Sequence, residues 1–183
     1  MWLIILAVIF VPVLWVVISY NSLVTMHLRA HEAISDIDVQ LKRRFDLIPN
    51  LVETVKGYAS HESETLQKVT EARAAVASST GDPLERAGAE NMLSGTLKTL
   101  FAVTESYPDL KANTNFLELQ RELSDTENKI QASRRFYNTT VRDLNTAIET
   151  VPTNIIANIF KFEKEKFFEV EEAAQREVPK VSF

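Results

Sequence analysis

The sequence predicts an all-α protein in which an N-terminal transmembrane helix continues into an antiparallel bundle of about four long and short helices. Three observations carry that prediction. Glycine and proline are scarce, at four and six of 183 residues, where turn-rich β structure would need many more. Every residue from Trp2 to Ile18 is apolar. Beyond that run, apolar residues recur at steps of three and four, the period of one helix face.

The first element is the apolar run. Residues 1–28 carry no charged side chain. At about 1.5 Å per helical residue they reach across a hydrocarbon core of roughly 30 Å. Pro12 is acceptable in such a helix, and Trp15 and Tyr20 suit the membrane–water interface. A cleaved signal peptide would call for a basic leader and a small-x-small cleavage pattern. No Lys or Arg precedes the run, and Ser19, Asn21 and Ser22 do not form that pattern, so an uncleaved span is expected. The chain has no cysteine, which excludes disulfides, thiolate metal sites, cysteine nucleophiles and lipoprotein acylation. Arg29, Lys42, Arg43 and Arg44 follow the span, with Glu32, Asp36 and Asp38 among them. The positive-inside rule then expects the bundle in the cytoplasm and the short N-terminus outside. The expected division is 1–28 for the transmembrane helix and juxtamembrane segment and 29–183 for the bundle.

The next stripe is Ile34, Ile37, Leu41, Phe45, Ile48, Val52, Val55 and Ala59. No turn signal separates it from Tyr20, so membrane helix and first bundle helix are expected as one rod. Pro49 and Asn50 lie inside the stripe. Apolar spacing continues on both sides, so Pro49 is expected to kink the helix without ending it. Its missing amide and its ring free the carbonyl of Phe45, and Asn50 or Arg44 is the expected partner for that oxygen. The stripe resumes at Leu66, Val69, Arg73 and Val76, then dissolves in "ASSTGDP".

Asp82 as N-cap and Pro83 as first residue predict a second helix from about 83 to 105. It carries Leu84, Met92, Leu93, Leu97, Leu100 and Phe101. Pro108 disfavours helical geometry at Tyr107. A third helix, from about Asp109 to Glu149, has the heptad-like stripe Phe116, Leu119, Leu123, Thr126, Ile130, Ser133 and Tyr137, continued by Val141, Leu144 and Ile148. Thr126 and Ser133 allow a close neighbour. Pro152 interrupts the chain, and a short amphipathic piece follows with Ile155, Ile156, Ile159 and Phe160. A last helix-like piece, "KFEKEKFFEVEEAAQRE", ends near Pro179.

Chemistry is sparse. A net charge of −5 offers nucleic acid no basic face. His27 and His31 share a helix face with Glu32 beside them, but Leu28 follows His27 where a zinc half-site would have glutamate. No third nitrogen or sulfur ligand lies nearby in sequence, so neither metal nor cofactor is expected. Glu53, His61 and Glu62, and Glu118, Glu122, Asp125 and Glu127, read as solvated faces with Arg121, Lys129 and Arg134 as ion-pair partners. No Ser, Thr or Lys stands in a nucleophile context, so no catalytic residue is assigned. Arg43 and Arg44 lie about 30 Å beyond the span on a continuous helix, which favours a bundle-internal ion pair or a protein partner over lipid. Phe160, Phe162, Phe167 and Phe168 in "FKFEKEKFF" either cover the end of the bundle core, the heavier weight, or insert at a membrane surface.

Several stretches together resemble one family. These are "YNSLV" at 20–24, "DVQLKRRFDLIPNLVETVKGYASHE" at 38–62, "YPDLKANTNFLELQRELSDTENKIQASRRFYNTTVRDLNTAIETVP" at 107–152, and the Phe-rich segment after it. The chain is similar in these to the LemA family of bacterial membrane proteins, apart from the loop near 78–90 and the tail after Phe168. The resemblance implies a single-pass protein of the bacterial cytoplasmic (inner) membrane and supplies no catalytic residues. The expectation is a non-catalytic, membrane-anchored scaffold or adaptor. It would contact the bilayer through residues 2–24 and bind other membrane proteins or itself. The alternative is a membrane-remodelling or lipid-binding module acting through residues 155–168.

Overall fold

A computed structural model describes residues 1–59 and 61–168, without side-chain detail at 3–7 and 9. Among the described residues there is helix and no strand. The elements are α1 (Trp2–Tyr58), α2 (Ser63–Ser78), α3 (Ala87–Thr104), α4 (Pro108–Lys111), α5 (Thr114–Glu149) and α6 (Thr153–Ile159). Among the described residues, α1 is the one helix long and apolar enough to cross a membrane. The chain divides into two compact units. Among the described residues, the first comprises 1–42 with 126–167, and the second 43–125 with Phe168. α1 and α5 each contribute to both.

In the second unit, Ile48, Leu51 and Val55 of α1 meet Leu66, Val69 and Val76 of α2. Leu93, Leu97 and Leu100 of α3, Leu110 of α4, and Phe116 and Leu123 of α5 complete one apolar core. The Phe101 and Phe116 rings lie 6.5 Å apart, within the range of favourable aromatic pairs. The stripe on α1 is rotated from the sequence reading. Leu41, Arg44, Ile48, Leu51 and Val55 are buried, while Phe45 and Val52 sit half-buried at its edge.

One helix expected to reach Val76 is two helices. α1 stops at Tyr58 and α2 starts at Ser63. The apolar stripe has no member between Ala59 and Leu66, where Glu62 and Ser63 stand. Gly57 in the last turn weakens the helix further. The backbone closes with Glu62 N–H donating to the Ala59 carbonyl at 3.1 Å. Phe45 and Arg73, equidistant in sequence from Ala59, then come together, so α2 runs antiparallel to the end of α1. Arg73 Nε donates to the Phe45 carbonyl at 3.4 Å, and its guanidinium lies 4.0 Å from the Phe45 ring centroid. The carbonyl that Pro49 frees is therefore met by Arg73. Of the two expected partners, Arg44 binds Glu90 instead. α1 passes through Pro49 unbroken.

Asp82 does cap, its Oδ1 accepting from the amides of Leu84 (2.8 Å) and Glu85 (3.0 Å). Residues 83–86 form a turn, however, and α3 begins at Ala87. Gly81 has φ +104°, and a Cβ there would collide with the Glu85 side chain. Tyr107 leaves helical geometry at φ −118°, ψ 89°, as the following proline requires. The third helix expected from Asp109 is divided into α4 and α5. Asn113 Oδ1 accepts from the Phe116 amide at 2.9 Å and caps the new start.

In the first unit, Leu23, Ala30, Ala33, Ile37 and Leu41 of α1 are buried, as are Ile130, Tyr137, Val141 and Leu144 of α5 and Ile156 and Ala157 of α6. Ser133 is only half-buried. The stripe position belongs to Arg134, which is buried where a solvated ion-pair partner was expected. The last helix-like piece is not helical as far as it is described. Lys161 turns at φ 58° and residues 162–168 form a strap with neither helix nor strand. The remainder of that piece, 169–179, lies outside the described residues.

Candidate functional site: the groove between α1 and the C-terminal strap

The strap is held to the first unit by side chains of α5. Asn145 Nδ2 donates to the Glu165 carbonyl at 2.9 Å, and Asn145 Oδ1 accepts from the Glu165 amide at 3.0 Å. One residue further, the Tyr137 hydroxyl donates to the Lys166 carbonyl at 2.8 Å. These bonds give an irregular backbone the partners that helix or sheet would otherwise supply.

This clamp places the strap beside α1. Tyr20, Val24 and His27 of α1 and residues 160–163 and 165 line a groove of about 480 Å³. The Tyr20 ring centroid lies 4.6 Å from that of Phe160 and 5.9 Å, edge-on, from that of Phe162. Below these rings, His27 Nδ1 stands 3.5 Å from Glu165 Oε1, and the His27 and His31 rings meet edge-on at 4.7 Å. Donor atoms of His27, His31 and Glu165 all lie within 4.8 Å of one another. The groove thus joins an aromatic wall to the His27 imidazole and the Glu165 carboxylate, with the His31 ring packed against His27. It can bind an apolar or aromatic group at one end and a cation or hydrogen-bonding group at the other.

The outer surface beside the groove is apolar. Val151, Ile155, Ile159 and Phe160 are 78 %, 52 %, 65 % and 49 % exposed. Tyr20, in ring contact with Phe160, stands two residues after the apolar run that ends at Ile18.

The other singled-out residues are placed as follows. Phe162 is half-buried in the groove, Phe167 is exposed and Phe168 is buried. Arg43 forms a half-exposed ion pair with Glu122 at 3.1 Å, worth about 0–1 kcal/mol. Arg44 and Glu90 are 0 % and 1 % exposed. Arg44 Nη2 lies 2.5 Å from Glu90 Oε2 and 3.2 Å from the Glu90 carbonyl, and Nη1 donates to the Ser94 hydroxyl. That guanidinium presents nothing at the surface. Pro49 borders a groove of about 330 Å³ with Arg73, and Asn50 one of about 460 Å³ with Glu118 and Glu122. Tyr107 donates its hydroxyl to Glu62 at 2.8 Å, and this bond raises the phenol's pKa above 10.0.

Two partners escaped sequence reasoning. Glu90 stands in step with Leu93, Leu97 and Leu100, and Arg44 in step with Leu41 and Ile48. A single charge of each sign on two apolar stripes was a readable sign of pairing. Glu165 had no comparable signal, because only the strap brings it to His27.

The chain matches the LemA family over residues 33–183. It is 32% identical over 140 residues to Protein LemA of Metamycoplasma hominis, covering 75% of this chain and 63% of that protein. It is 25% identical over 174 residues to Magnetosome protein MamQ of Magnetospirillum gryphiswaldense, covering 81% and 64%. Magnetosome protein MamQ 2 of Paramagnetospirillum magneticum is 27% identical over 175 residues, with 82% and 64% covered. The chain therefore spans just under two thirds of the length of these relatives. With the family match extending from α1 through the strap, the chain belongs to the LemA family.

Proposed function

We propose that this protein is a non-catalytic scaffold or adaptor, anchored in the bacterial cytoplasmic (inner) membrane by the apolar start of α1. It binds protein partners or further copies of itself. The bundle lies on the cytoplasmic side and the segment before the span outside. The observation that carries this reading is the continuity of α1 from Trp2 to Tyr58. One helix joins the apolar run to both packed units, so a partner bound to either is tied to the bilayer. The test is purification of the full chain in mild detergent, with mass by light scattering and capture of partners from the same membranes. Self-association or a reproducible partner is expected, and a strict monomer that captures nothing sinks the proposal. Topology has its own test, because the chain lacks cysteine. Exposed Lys68→Cys should resist a membrane-impermeant maleimide added to intact cells, and labelling there places the bundle outside.

A second reading, a lipid-binding or membrane-remodelling module, is favoured by the exposed apolar surface at Val151, Ile155, Ile159 and Phe160. The contact of Phe160 with Tyr20, two residues past the apolar run, supports this reading. Polarity-sensitive dye on Ile155→Cys in full-length protein in nanodiscs tests it. Quenching by lipid-borne nitroxide at this site, with none at Lys68→Cys, supports insertion, and equal quenching at both sites or neither removes it.

A further inference from the structure

We propose that His27, His31 and Glu165 bind a divalent transition-metal ion of the zinc class. Two imidazoles and one carboxylate form a borderline donor set suited to zinc. Magnesium and calcium, which take oxygen ligands, would find a single carboxylate here. The histidines stand one helical turn apart on α1, where i and i+4 side chains meet. Zinc bonds of about 2.0–2.2 Å in tetrahedral array place ligand atoms roughly 3.4 Å apart. His27 Nδ1 and Glu165 Oε1, at 3.5 Å, already have that spacing. The whole set lies within 4.8 Å, and His31, exposed and free to rotate about its side-chain bonds, closes the remainder.

The carboxylate is also delivered on a fixed backbone. Glu165 is the residue whose amide and carbonyl Asn145 holds together, and Tyr137 fixes the next carbonyl. Such outer bonds orient ligands in metal sites generally. A plain His27–Glu165 ion pair would account for one imidazole but not for the second ring meeting at the same point. His27 and Glu165 also line the groove with Tyr20, Phe160 and Phe162, so a fourth coordination position would open there to water or to a donor from a bound partner. Metal binding would tie the strap to α1 through the Glu165 side chain, while Asn145 holds its backbone to α5.

The experiment uses the full chain in detergent micelles, purified with a histidine-free tag and stripped with chelator. Zn²⁺ is titrated by calorimetry, and Co²⁺ is followed by the visible d–d absorption that reports tetrahedral coordination. One Zn²⁺ per chain is expected, with a rise in Tm. His31→Ala and Glu165→Gln should each weaken binding at least about tenfold, the lower end of what loss of a mere outer-shell partner costs. The pair His27→Ala with His31→Ala should abolish it. His61→Ala, which removes the one remaining histidine, should leave it unchanged. Helical circular dichroism of each variant checks the fold, and the exposed His31 variant keeps the test valid if His27→Ala unfolds. No stoichiometric binding, binding that survives the double variant, or loss of binding only in His61→Ala overturns the proposal.

Discussion

The two units differ in what they leave at the surface. The second unit takes charge inward. Arg44 and Glu90 are sealed in its interior, with the Ser94 hydroxyl accepting a further hydrogen bond from the guanidinium. The first unit, besides burying Arg134, turns apolar surface outward at Val151, Ile155, Ile159 and Phe160, and keeps His27, His31 and Glu165 within reach of solvent. A buried, compensated charge is consumed by the fold, whereas exposed apolar surface beside open polar groups is available to something else. The contrast separates Arg44, consumed by the fold, from the groove, whose polar and aromatic groups stay accessible.

The contrast breaks most sharply at Glu90. Glu90→Ala leaves a buried guanidinium without its carboxylate and should cost about 3–5 kcal/mol, while Arg44→Leu combined with Glu90→Leu should be neutral or stabilising by about 1–4 kcal/mol. Denaturant unfolding of the full chain in micelles measures both. A loss below about 1 kcal/mol for Glu90→Ala would class the pair with exposed ones and erase the distinction between the units.

Pro49 gives the next effect. Pro49→Ala restores an amide that can donate to the Phe45 carbonyl and should stabilise α1 by up to about 3 kcal/mol. Arg73→Ala should cost about 0.5–1 kcal/mol beside Pro49 and less after Pro49→Ala, because the carbonyl then has another donor. Unfolding of the single and double variants gives the coupling, and purely additive effects would show that Arg73 acts through its stacking on Phe45 alone.

Tyr107 gives the smallest. Its hydrogen bond to Glu62 raises the phenol's pKa in the folded state. The contribution is therefore fully present below pH 10.0 and is lost as pH rises through the raised value. Stability measured across that alkaline range should fall less steeply for Tyr107→Phe than for the parent chain. Identical slopes would remove Tyr107 from the list of groups that hold the second unit.

Local signals were legible and distant ones were not. Pro108 and Pro152 act on their own neighbours, so the breaks they impose could be read directly, whereas Asp82 caps only a turn and α3 starts later, at Ala87. The α1–α2 break was hidden because Leu66 follows Ala59 at a spacing a continuous helix also produces, and only the missing member of the stripe at Glu62 and Ser63 marks it. The strap was misread because its charged and aromatic composition suits a helix, while Asn145 and Tyr137, well back in the chain, decide its backbone. Glu165 reaches the two histidines through that same long-range clamp, so no local spacing announces the cluster.

The sealed pair in the second unit also acts as a registration pin. Leucines on α1 and α3 are nearly interchangeable, and apolar stripes alone would accept a slip by one helical turn. Such a slip moves Arg44 about 5.4 Å along the axis from its carboxylate and strands two charges in a dry interior. The double leucine variant would keep or gain stability yet lose that veto. Its cost would then be read in the uniqueness of the packed state, as multiplied or broadened side-chain resonances.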